Sequence, residues 1–169
     1  MKLPARLFAA IALLAASAAL AQGYPDKPIR IINPFPPGSP VEFVGRLAAE
    51  RLTHAWGKPV LLESRAGAGG TIGADFVAKA PPDGYTLLVT TPSTLAVAPA
   101  LYRVLPYDPL KDFAPVSMLG TAPSLLTVHP SQPIRTVKDL IALAQAKPGK
   151  LNFVSAGHGT PPHLAGELF

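Results

Sequence analysis

IRIINPFPPGSP (residues 29–40) and RAGAGGTIG (residues 65–73) decide how this chain is read. In the first stretch the apolar run Ile29, Arg30, Ile31, Ile32 breaks at Asn33 into a proline-rich turn. The turn ends on Ser39-Pro40-Val41-Glu42, a serine N-cap with proline at the first helical position and glutamate three residues beyond the cap. In the second stretch a short run at 60–63 gives way to glycines and then to another helical segment. Strand, loop and helix start thus follow one another twice. A helix that begins just past a strand end aims its unpaired N–H groups and positive dipole end into the loop, where an anion is held without a basic side chain. The pattern predicts a site for a small acid.

Outward from this pair, strand-like runs recur at 85–90, 114–118, 125–129 and 151–155, mostly as continuous apolar stretches that suit strands buried on both faces. Helical patterns lie between several of them: 41–56, ending at Gly57; 72–79, ending before Pro81; and 137–146, ending at 147–149. Alternation of this kind predicts an α/β fold with a largely parallel sheet. Thr136 with Asp139 repeats the capping box in a weaker form, and Thr160-Pro161 repeats the cap-proline device. Residues 101–113 break the strand–helix rhythm and read as a connector between lobes.

Residues 1–21 read as an export signal. Lys2 and Arg6 precede an apolar stretch at 7–20, and Ala19-Leu20-Ala21 has the small-x-small pattern of a cleavage site before Gln22. The stretch is too short for a membrane anchor. Cleavage after Ala21 removes Lys2 and Arg6 and lowers the formal net charge from +5 to +3. The remaining basic residues are scattered and not interleaved with aromatics, which argues against nucleic-acid binding. With no cysteine there is no disulfide framework and no thiolate ligand or nucleophile. Stability has to come from a packed core, in a chain of which 49% is hydrophobic.

The glycine loop fits neither nucleotide motif. Gly67 and Gly69 are followed by Ile72 where a dinucleotide fingerprint needs glycine, and no Lys-Ser/Thr pair makes it a phosphate loop. What remains is a tight turn that needs positive φ, or a cradle of backbone amides for a small anion. Phe35, in a loop stiffened by prolines, is either a wall of the cleft or an anchor in the core. Glu42 either accepts the N–H of Ser39 as a cap or faces a ligand ammonium. The four histidines lack metal-ligand spacing, so no metal is expected. Ser155 near His158 lacks the glycine of a nucleophile elbow and reads as a turn serine. Trp56 reads as packing.

The ordered motifs YPDKPIR (24–30), PFPPG (34–38), GAGGTIGA (67–74), PDGYTLL (82–88), LPYDP (105–109), KPGKLN (147–152) and HLAGELF (163–169) resemble the Bug family of extracytoplasmic solute receptors. These are the TctC-like substrate-binding components of tripartite tricarboxylate transporters. The resemblance implies a two-lobed periplasmic-binding-protein-like α/β fold of type II, not an enzyme and without cofactor. Such a receptor closes over a small carboxylate and delivers it to the membrane subunits of the transporter. It implies ligand contacts at Phe35, Gly38, Ser39, Gly67, Ala68, Gly69, Gly70, Thr90, Thr91 and Ser93, and in the second lobe at Ala156, Gly157, His158, Gly159 and Thr160. Glu42 joins them, standing where the family has an aspartate.

Ser39 replaces a usual glycine and 158–162 replaces smaller polar residues, so the identity of the carboxylate stays open. The expected organisation is a signal at 1–21, a nearly complete first lobe at 22–118, and at 119–169 the crossover and the start of a truncated second lobe. The chain thus reads as an amino-terminal half, periplasmic and not stably inserted in a membrane. A periplasmic sensor for a signalling partner and a secreted α/β hydrolase are the competing functions.

Overall fold

The computed structural model describes residues 23–169; the signal segment and its cleavage site lie outside the described residues. Three parallel strands form the sheet, β1 (Ile29–Asn33), β2 (Val60–Ser64) and β3 (Thr86–Leu88), in the order β2-β1-β3. β1 is the central strand, with Ile29 opposite Val60 on one side and Arg30 opposite Thr86 on the other. Its mostly apolar sequence follows from this position: Ile29, Ile31 and Ile32 are all buried.

Helix α1 (Pro40–Trp56) crosses from β1 to β2, and α2 (Thr71–Ala78) crosses from β2 to β3. The alternation of β1 sends them to opposite faces. Ile29 and Ile31 share a core with Ala49 of α1, Val60 and Val89, whereas Arg30 between them stacks on Phe76 of α2. Gly45 lets α1 approach the sheet, since a Cβ there would lie 3.0 Å from both Leu62 and Val89. The helix ends at Gly57, whose φ of 63° suits a left-handed C-cap. The Thr53 hydroxyl ties this end to β2, donating to the Ala49 carbonyl (2.8 Å) and accepting from Val60 N–H (3.0 Å).

After β3 the chain enters a π-helical turn (Ser93–Val97) that runs into α3 (Ala98–Leu101). Residues 101–113 are tied to what precedes them. Tyr107 is buried and donates to the Thr94 carbonyl (2.7 Å), and Asp108 closes a local turn onto Leu110 and Lys111 N–H (2.9 and 3.2 Å). Helices α4 (Val137–Ala146) and α5 (Pro161–Leu168) follow, α4 with the reciprocal Thr136–Asp139 capping box in place.

Three expectations need correction. The strand at 85–90 shortens to Thr86–Leu88, and 114–118, 125–129 and 151–155 form no ladder. A strand exists only where a neighbour takes up its N–H and C=O groups, and among the described residues these runs have none. Their side chains lie open, Val154 at 96% exposure. Glu42 also caps differently from expectation: its carboxylate accepts Gly38 N–H (2.5 Å), while Ser39 N–H goes to the Pro36 carbonyl (3.3 Å).

Candidate functional site

All three parallel strands end at one edge, so the loops after Asn33, Ser64 and Leu88 emerge together, the place where open α/β sheets hold ligands. Asn33 organises the first. Its buried side chain accepts Phe35 N–H (3.2 Å) and donates to the Phe35 carbonyl (2.9 Å) and the Ser64 hydroxyl (3.1 Å), fixing the proline loop to the end of β2. Phe35 is thereby held at 8% exposure with its ring toward Gly70. This first junction is closed by its own side chains. The Ser39 hydroxyl accepts Glu42 N–H (3.2 Å), and Glu42 takes the Gly38 amide and pairs with Arg46. The Gly38 N–H, and after it the Arg46 guanidinium, hold the Glu42 carboxyl below its usual range.

The second junction is left open. Gly67, Ala68, Gly69 and Gly70 all have positive φ (145°, 45°, 65° and 97°), and α2 starts at Gly70 with no side-chain cap and no acidic residue in its first turn. Ala68 is the strained member, a non-glycine in the left-handed region. Its carbonyl is pinned by the hydroxyls of Thr71 (3.0 Å) and Tyr102 (3.3 Å). Gly70 has no room for a side chain, since a Cβ would lie 2.6 Å from the Thr94 hydroxyl.

The third loop adds hydroxyls. Thr90, Thr91 and Ser93 carry buried hydroxyl oxygens with no hydrogen-bond partner among the described residues, and Ser93 as a residue is only 3% exposed. Buried hydroxyls of native proteins are nearly always bonded, so three in one short loop call for a ligand or water. Beside them the fully buried Thr94 donates to the Gly69 carbonyl (3.4 Å). The fourth loop arrives from 156–160. The His158 carbonyl lies 3.0 Å from where a Gly69 Cβ would stand, the His158 ring meets Tyr102 edge-on, and Gly159 abuts Leu101. Thr160 is buried and donates to the Gly157 carbonyl (2.6 Å), shaping the turn that also contains Ala156.

Phe35, the Ala68–Gly70 turn, Thr90, Thr91, Ser93 and the 157–160 turn therefore surround one strand-end region, whereas Gly38, Ser39 and Glu42 are occupied with one another on its rim. Sequence reading missed Asn33, Thr94, Tyr102 and Tyr107. An asparagine between an apolar strand and a proline is an Asx-turn signal that would have found the first. The tyrosines act over long sequence separations that no local pattern encodes. An open groove of about 520 Å³ along α2, between Arg30, Arg65, Phe76 and Lys79, lies away from the hydroxyl loop. Its arginines are already engaged, Arg30 bidentate with Glu63 (2.7 and 2.8 Å) and Arg65 stacked 3.8 Å over Phe76. Among the described residues no group of three His, Cys, Asp or Glu could hold a metal, and no helix is long and apolar enough to cross a membrane.

A parallel sheet with helices on both faces, its strand-end loops gathered at one edge, is the α/β fold of the periplasmic-binding-protein type. Residues 44–169 match TctC, the tripartite tricarboxylate transporter family receptor, and the chain belongs to that family. It is 41% identical over 170 residues to Protein BugT of Bordetella pertussis, covering 97% of this chain and 52% of that protein. Among solved structures it resembles R. palustris Rpa4515 with adipate (TM-score 0.84, 36% identity, 86% of this chain and 49% of that one). It also resembles MatC of Rhodopseudomonas palustris with bound malate (TM-score 0.55, 41% identity, 57% and 33%). The chain spans about half the length of the curated relatives it matches.

Proposed function

We propose that the protein is an extracytoplasmic receptor that holds a small carboxylate at the strand-end loops and delivers it to the membrane subunits of a tripartite tricarboxylate transporter. The observation that carries this reading is the set of unbonded hydroxyls of Thr90, Thr91 and Ser93 in a region that also contains the uncapped start of α2. Hydroxyls donate to a carboxylate, and the helix end supplies amides and a favourable dipole without a competing cation. Adipate and malate in the two similar structures are ligands of that class.

In this reading residues 22–118 form the first lobe, and 119–169 the crossover and the beginning of a second lobe that brings Ala156, Gly157, His158, Gly159 and Thr160 to the opposite wall. The leader at 1–21 is removed after Ala21 and the receptor works in the periplasm, without metal, nucleotide or other cofactor. It is not an enzyme. The Ser155 hydroxyl, near His158 in the sequence, accepts Gly157 N–H (3.3 Å) in a local turn.

The test is calorimetry on the exported protein, unfolded and refolded to strip bound ligand, against adipate, malate and a panel of mono-, di- and tricarboxylates. Saturable binding without added metal is expected. Silence across the panel together with binding of a neutral sugar would overturn the proposal.

A further inference from the structure

The π-helical turn at Ser93–Val97 has a cause in the sequence. Pro99 lies in the helical run formed by this turn and α3, where its ring would clash with the carbonyl four residues back and its missing N–H leaves a carbonyl without a donor. The wider turn absorbs the clash, and Ala98 N–H reaches five residues back to the Ser93 carbonyl. In that register the next carbonyl, Thr94, would be served by residue 99, which is proline. The buried Tyr107 hydroxyl donates to this same oxygen, at 2.7 Å. We infer that Tyr107 is a positioning residue: its hydroxyl replaces the N–H that Pro99 lacks, and so holds the π-turn that sets Ser93 and Thr94 beside the glycine loop.

The chain of contacts is continuous. Tyr107 fixes the Thr94 carbonyl, the Thr94 hydroxyl donates to the Gly69 carbonyl, and the same hydroxyl fills the space a side chain at Gly70 would need. The connector is thus tied through one residue to the open helix start. That Ser93 and Thr94 serve a ligand rests on the carboxylate reading; the dependence of the turn on Tyr107 does not.

The decisive experiment compares the exported protein with Tyr107→Phe, Pro99→Ala and the double variant by amide hydrogen exchange. Removing the hydroxyl leaves a buried carbonyl unpaired, so Tyr107→Phe should speed exchange about tenfold or more at 68–71 and 94–98 while β1 amides stay unchanged. An alanine at 99 gives the helix a donor for Thr94 in either register, so in the Pro99→Ala background the same tyrosine change should have no such effect. Unchanged exchange, equal acceleration in β1, or persistence of the effect in the double variant would each overturn the inference. With adipate as probe, Tyr107→Phe should bind about tenfold more weakly, and equal affinity would count against it. Failure of the unaltered protein to bind any panel carboxylate would defeat the carboxylate reading alone, leaving the exchange comparison to judge Tyr107.

Discussion

The two strand-to-helix junctions occupy equivalent places in the fold and are finished in opposite ways. At 34–39 the chain supplies its own oxygens: Ser39 caps α1, Glu42 takes the Gly38 amide, and the Asn33 side chain brackets Phe35. At 65–70 no side chain caps the helix: the Gly67 and Ala68 carbonyls take Gly70 and Thr71 N–H, and four consecutive residues adopt positive φ to bring backbone, not side chains, to the start of α2. A helix end that satisfies itself has no use for an anion. In the proposed reading the open one takes the carboxylate, and the closed one serves as the wall against which it is built, for Pro34 and Phe35 stand directly under Gly73 and Gly70.

The largest expected effect tests that contact. Gly73 lies within α2, where alanine would ordinarily stabilise by about 1 kcal/mol. A Cβ there would stand 2.7 Å from Pro34 Cβ and 2.8 Å from its Cα, a backbone clash that no rotamer relieves. Gly73→Ala should therefore lower stability by roughly 3 kcal/mol, in the range of overpacked sites. Gly38→Ala, strained only by its φ of 82° with nothing within 4 Å, should lose about 1 kcal/mol. Urea denaturation of both variants decides, and similar losses would mean that the two junctions are not packed as described.

Next comes the open side itself. Ser93→Ala removes a buried hydroxyl with no partner among the described residues, so the unliganded protein should melt no lower than before. Affinity for whichever panel carboxylate binds should fall about tenfold or more, since a hydrogen bond to a charged group is lost. A lower melting point with unchanged affinity would move Ser93 from the site to the fold.

The part of this contrast that could be read in the sequence was the part written in local chemistry. Serine before proline, glycines before an apolar helix and Thr136 before Asp139 each act within a few residues, and each lies where such signals place it. The runs at 114–118, 125–129 and 151–155 have the composition of buried strands, but pairing depends on a neighbour, which composition does not encode. The contacts that join the loops, Thr94 to Gly69 and Tyr107 to Thr94, span 25 and 13 residues, and the π-turn between them shows only as Pro99 inside a helical stretch. Glu42 illustrates the limit at short range. Its spacing from Ser39 was legible, while the one-residue choice of Gly38 over Ser39 depended on Ser39 N–H already being bound to Pro36.

On the closed side the effects are smaller. Ser39→Ala should destabilise by about 1 kcal/mol, the usual loss at an N-cap, and leave carboxylate affinity within about threefold. A drop in affinity as large as that of Ser93→Ala, measured in the same calorimeter, would show that the first junction also binds ligand and would erase the contrast.

The smallest effect belongs to the charge on Glu42, and its sign can be worked out. The Gly38 N–H and then Arg46 lower its folded-state pKa below the ordinary value near 4.5, so the folded protein binds this proton less readily than the unfolded chain does. The stability this contributes is fully present above the ordinary value and is lost as pH falls through the lowered one. Glu63, held down by Arg30 and Arg65, and Asp83, held down by Tyr85 N–H and Lys27, act in the same direction, so an acid-induced loss of stability alone cannot be assigned to Glu42. Glu42→Gln isolates it: glutamine still accepts Gly38 N–H but does not ionise. The two proteins should differ most at neutral pH and converge in acid, with carboxylate affinity alike in both. Parallel stability curves from pH 7 downward would remove Glu42 from the closure of the first junction, and a large loss of affinity in Glu42→Gln would place its charge against the ligand.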